Sequence, residues 1–167
     1  AHRYARPSSG TTSTGTPSSS TNGIHSPGSS PASSSSTSTG TKGSKMIGVD
    51  PRLTRTAAKA DEYGRIRSGS DIPFLFGVMH HIFKNGWEDK KYIEDRVHGM
   101  DKVREEALNK WTPDKVLEAC GVDEAAVFQV AKTMAENRPS TVVWCRGQTQ
   151  HTIGNAIVRA SCLLQLV

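Results

Sequence analysis

Aliphatic side chains are nearly missing from the first 44 residues, which are roughly three quarters Ser, Thr, Gly and Pro. With so little apolar surface to bury, that stretch cannot offset the entropy of ordering. Residues 1–44 are therefore expected to be a disordered low-complexity segment, leaving 45–167 as the foldable part. Paired cysteines are also lacking. Cys120, Cys145 and Cys162 are odd in number and show no C-x-x-C spacing, which argues against a disulfide framework or a zinc or iron–sulfur site and for buried thiols. No apolar run approaches the roughly 18 residues that span a bilayer, so no direct membrane insertion is expected. The start of the chain lacks the apolar centre of a signal peptide.

A basic stripe is missing too. The net charge is +5, but Arg3, Arg6 and Lys42 lie in the acid-free first 44 residues, and beyond them acids and bases are interspersed. Nucleic acid is therefore not an expected partner. The chain has no G-x-x-x-x-G-K, G-x-G-x-x-G or G-x-S-x-G, which counts against phosphate-loop enzymes, ordinary NAD sites and serine hydrolases. Its histidines have no i, i+4 partner and read as structural or surface residues.

What is present begins at residue 45. The run 45–49 is apolar and β-branched without alternation, which suits a central parallel strand buried on both faces. A short helix-prone stretch at 54–60 and a second strand at 63–67 follow, closed by the Ser68-Gly69-Ser70 turn. Asp71 can cap the next helix with Pro73 in its first turn. Phe74, Leu75, Val78, Met79, Ile82 and Phe83 then recur at helical spacing up to the Asn85-Gly86 stop. Helical segments are expected at 88–97, 100–110, 113–120 and 124–137, then a strand at 140–145, a polar loop at 146–151 and a helix at 152–166. The order predicts an α/β fold: a Rossmann-like, mostly parallel sheet with flanking helices and a helical insert.

This order puts three polar loops at strand carboxyl ends, where doubly wound sheets bind ligands. In the first, Asp50 could accept two hydrogen bonds from a ribose diol, and Arg52 could stack on a base or pair with a phosphate. A turn acid cornered by Pro51, with Arg52 in solvent, fits the same text. In the second, Gly69 permits close backbone approach, Ser70 offers a hydroxyl and Asp71 a carboxylate that could accept from the adjacent N–H donors of guanine. Helix capping by Asp71 is the plainer alternative. The third loop, Trp144 to His151, is dense in donors that could hold pyrophosphate or pterin oxygens.

At these residues the chain resembles the catalytic subunits of molybdenum- or tungsten-dependent formate dehydrogenases, members of the bis-molybdopterin-guanine-dinucleotide oxidoreductase superfamily. The matching text is Val49-Asp50-Pro51-Arg52 with Thr54-Arg55-Thr56-Ala57-Ala58, Ile66-Arg67-Ser68-Gly69-Ser70-Asp71, Phe83-Lys84-Asn85-Gly86-Trp87, and Trp144 through Asn155. The resemblance runs from about residue 41 to 167. It implies that Asp50, Pro51, Arg52, Thr54, Gly69, Ser70 and Asp71 contact the guanosine part of a molybdopterin guanine dinucleotide, with Gly147 and Gln150 approaching the cofactor. Arg146 stands where relatives usually carry Met. The family's iron–sulfur cysteines, its metal-ligating Cys or selenocysteine with the neighbouring His, and a later active-site Arg have no counterpart in this sequence.

The resemblance therefore implies an internal part of a formate-oxidising subunit. Formate would be the parent's substrate, electron-transfer subunits its partners, and an iron–sulfur cluster would be held outside this chain. It assigns no catalytic residue or metal ligand here, and leaves cytoplasm and periplasm both open. Two alternatives share the loops: another molybdopterin oxidoreductase such as a nitrate reductase, and a non-redox Rossmann-like nucleotide-binding domain.

Overall fold

A computed structural model describes residues 43–167; apart from Gly43 and Ser44, the expected disordered segment lies outside the described residues. Two strands, β1 (Ile47–Val49) and β2 (Glu62–Gly64), pair in parallel with Gly48 opposite Tyr63. Parallel pairing needs a crossover of about a dozen residues, and here that crossover is the Asp-Pro-Arg loop with a single 3-10 turn at Ala57–Lys59. Gly48 allows this turn to lie against β1. A Cβ at Gly48 would come within 3.3 Å of both Ala57 Cα and Ala60 Cβ. Asp61 closes the crossover, its carboxylate accepting from Met46 N at 2.7 Å.

Helix α1 (Asp71–Asn85) is the centre of the molecule, buried continuously from Phe74 to Phe83. A helix that is apolar all round must be enclosed, and α3 (Met100–Asn109), α4 (Pro113–Cys120), α5 (Glu124–Glu136) and α7 (Gly154–Gln165) all pack on it. Gly86, at φ +67°, ends α1 in the left-handed conformation that favours glycine. The short α2 (Lys90–Arg96) is capped by Asp89, whose side chain accepts from Tyr92 N. Glu88 turns inward to meet Arg104 of α3 at 3.1 Å, and the same guanidinium lies over the Phe83 ring.

Several expectations are corrected. The second strand ends at Gly64 rather than continuing to Arg67, because Arg67 N is taken by the Cys120 carbonyl, outside any ladder. β1 is half-buried with Val49 exposed, so it is not the interior strand its composition suggested. Residues 140–145 form no strand: they have β-branched composition but no ladder partner among the described residues. The sheet is thus one parallel pair, and the described residues are a helix-rich α/β structure. The polar loop after 145 winds instead into one helical turn, α6 (Arg146–Thr149). Of the three thiols only Cys120 is buried, since Cys145 and Cys162 lie on outward faces. No helix among the described residues is long and apolar enough to cross a membrane.

Candidate functional site

The loops that leave β1 and β2 share one sheet edge, because adjacent parallel strands end on the same side. Asp50 N donates to the Gly64 carbonyl at 3.2 Å, which joins the two loops at their roots. The Asp50 carbonyl accepts from the Tyr63 hydroxyl at 2.8 Å, and the Pro51 carbonyl from Arg65 Nε at 3.3 Å. Within the loop, Asp50 Oδ1 accepts from Arg52 N at 2.8 Å, an Asx turn that fixes the corner and leaves Oδ2 for another donor. Pro51 and Arg52 are exposed, and among the described residues no ion pair holds the Arg52 side chain. Thr54 Oγ1 accepts from Ala57 N, so its own O–H remains able to donate.

The second turn is arranged differently from its sequence reading. Ser70, not Asp71, is the residue that precedes α1, and its side chain makes no cap. Instead the buried Ser70 hydroxyl donates to the Arg67 carbonyl at 2.6 Å, so its proton is used inside the turn. Gly69 has φ +82° with nothing within 4 Å of where a Cβ would sit, leaving its backbone open to close approach. Asp71 is the first helical residue and half-buried. Burial pushes its carboxyl above the usual carboxylate range; its own backbone amide and the charge of His151 partly offset this.

That influence of His151 brings the third loop to the second. α6 is tied to α7 through the Gln148 side chain, whose Oε1 accepts from the fully buried Ser161 hydroxyl at 2.8 Å. Gly154 makes the tight junction possible, because a Cβ there would collide with the Thr149 carbonyl. Gly147 and Gln150 stay exposed, with open space beside Gly147. Arg146 is exposed as well. Sequence reasoning missed Tyr63, Arg67 and Cys120, which hold the turns from behind; no local spacing announces such long-range contacts.

The site can therefore offer two carboxylates, a guanidinium, a hydroxyl and open glycine backbone along connected loops. That donor and acceptor set suits a purine nucleoside with its diol and phosphates. Among the described residues no group of three or more His, Cys, Asp or Glu side chains is placed to hold a metal ion.

No protein-family model matches the chain. Curated proteins do. The F420-dependent formate dehydrogenase subunit alpha of Methanocaldococcus jannaschii is 33% identical over 126 residues, covering 75% of this chain and 19% of that protein. The nitrate-inducible formate dehydrogenase major subunit of Escherichia coli is 28% identical, covering 73% of this chain and 17% of its own length. Among solved structures, acetylene hydratase from Pelobacter acetylenicus superposes with a TM-score of 0.70 at 27% identity, over 74% of this chain and 17% of that one. The chain spans less than a fifth of the length of each of these relatives.

Proposed function

Because the chain belongs to the family of formate dehydrogenase alpha subunits and related molybdopterin oxidoreductases, we propose that it holds the guanosine end of a molybdopterin guanine dinucleotide. The parent would be a subunit that oxidises formate to carbon dioxide. The carrying observation is the union of the Asp50 and Asp71 loops at one edge of the parallel pair. Asp50 would take the ribose diol, Arg52 a phosphate or the base face, and Asp71 the guanine N–H edge. Pro51 and Thr54 would shape and extend the first loop, Gly69 and Ser70 would bring backbone close, and Gly147 and Gln150 would approach from the third. The residues present fit that group: Asp71 carries a half-buried carboxyl group whose oxygens can accept N–H donors beyond its own backbone amide.

When bound, the pterin-held molybdenum or tungsten supplies the two-electron chemistry. This chain's own residues bind and orient, and none is assigned catalysis. Electrons would leave through iron–sulfur clusters and electron-transfer subunits outside these residues.

Guanosine diphosphate titrated calorimetrically into the chain tests the reading. Asp71→Asn is expected to weaken guanosine diphosphate about tenfold or more, the range for a lost charge-assisted hydrogen bond. Adenosine diphosphate should change little. Equal loss for both nucleotides would remove guanine from the proposal. A second reading draws on the relative named acetylene hydratase. Since a hydratase and dehydrogenases share this portion, the loops fit the common cofactor, and the parent could equally be another molybdopterin enzyme such as a nitrate reductase. The metal-ligating residue of the parent polypeptide decides between them, a Cys or selenocysteine followed by His favouring formate oxidation.

A further inference from the structure

Helix α4 ends beside the second turn, and the two are bonded in both directions. A helix leaves its last carbonyls without internal partners. Here the Cys120 carbonyl accepts from Arg67 N at 2.9 Å, and the Glu118 carbonyl accepts from the Arg67 guanidinium. In return the Cys120 thiol, fully buried, donates to the Ser70 carbonyl at 3.4 Å. The same carbonyl accepts from Phe74 N, so two donors fix the peptide that leads into Asp71. Arg67 also closes the turn on itself: its own carbonyl takes both the Ser70 amide, at 3.1 Å, and the Ser70 hydroxyl, at 2.6 Å. Gly121 completes the arrangement. It has φ +71°, a conformation that side chains with a Cβ rarely adopt, and a Cβ there would lie 3.2 Å from Arg67 Nε, so glycine leaves room for the guanidinium beside the helix end.

We propose that Arg67 and Cys120 are positioning residues for nucleotide recognition, clamping the Ser68 to Asp71 turn to the carboxyl end of α4 so that the Asp71 carboxylate is held in one orientation. The proposal rests on the reading of Asp71 as the guanine acceptor. The clamp reaches from the binding loop to a helix some 50 positions further along the chain, which makes guanine selectivity a property of the helical insert as well as of the loop. A mere helix cap would stabilise α4 and leave selectivity alone.

The test uses the full chain, with guanosine and adenosine diphosphates as probes and hydrogen exchange at the Gly69, Ser70 and Asp71 amides as a second readout. Arg67→Met is expected to lower guanosine diphosphate affinity about tenfold, to narrow the guanine-to-adenine ratio and to quicken exchange at the turn. Cys120→Val keeps the volume and loses the donor, and should act in the same direction. Cys120→Ser, which restores a donor, should recover the ratio. If Arg67→Met folds poorly, the two Cys120 variants give the same comparison. An unchanged ratio and unchanged turn exchange in the folded variants overturn the clamp. If the unmodified chain binds neither nucleotide, the reading of Asp71 fails and the clamp stands or falls on turn exchange alone.

Discussion

Asp71 is held in a way that suits a ligand better than it suits the free protein. Its carboxyl is pushed up chiefly by burial, so folding makes it a weaker acid. An acid raised in the folded state adds stability below its ordinary value of 3.8, and that gain is lost as pH rises through the folded value. Asp71→Asn should therefore raise the melting temperature near pH 7, with the gain vanishing below about pH 3.8. Thermal melts at several pH values check this, and a lowered melting temperature near pH 7 would contradict it. His81 has the opposite sign of pH dependence. Burial, then the neighbouring His80 and, least, Lys84, lower its pKa, while Glu124 of α5 raises it, and its ring stands edge-on to Phe128 at 5.5 Å. Stability should be full above 6.5 and fall as pH drops below it, because the unfolded imidazole takes up its proton first. His81→Phe should flatten that part of the curve between pH 5 and 7. The acids of the two loops were legible as site candidates from type and position alone. The direction of the Ser70 hydroxyl was not, since it depends on where the Arg67 carbonyl lies after folding.

Among elements, α1 was the most legible, because ten consecutive buried positions leave a periodic and then saturated apolar pattern with a glycine stop. Its neighbours are constrained by small residues that the sequence does not flag. A Cβ at Gly77 would meet Val116 Cγ1 at 2.9 Å and Val127 Cγ1 at 3.4 Å. The β-branched Val116 is stiff, so overpacking of about 1–3 kcal/mol should outweigh the gain of up to about 1 kcal/mol in helix propensity. Gly77→Ala is thus expected to destabilise in urea unfolding, although the same change in an open helix would stabilise. Gly154→Ala drives a side chain into backbone, and should cost at least about 2 kcal/mol and loosen α6 from α7. The segment 140–145 shows the limit of periodicity. Thr141, Val142 and Val143 have strand composition, but a strand exists only where a neighbour supplies the ladder, and Val143 is 88% exposed. No window of local sequence reports whether that neighbour is present.

At the scale of the molecule, the described residues are a helical cluster around α1 with one parallel strand pair and its loops, and the chain corresponds to less than a fifth of the relatives it matches. Binding and turnover therefore separate cleanly as measurements. With formate and an artificial electron acceptor, the 167-residue chain is expected to show no dye reduction, even where guanosine diphosphate binds; measurable turnover would overturn the division of labour proposed above. The crossover between β1 and β2 adds a consequence for how this region can vary. Its twelve residues, 50–61, both link the paired strands and present the Asp-Pro-Arg corner. An added or deleted residue there would alter the spacing that joins the Asp-Pro-Arg corner to β2, whereas the exposed side chains at 52 and 53 can change without moving the backbone. Change at this edge is therefore channelled into substitution, and a library seeking altered nucleotide preference should hold the loop length constant and randomise its side chains.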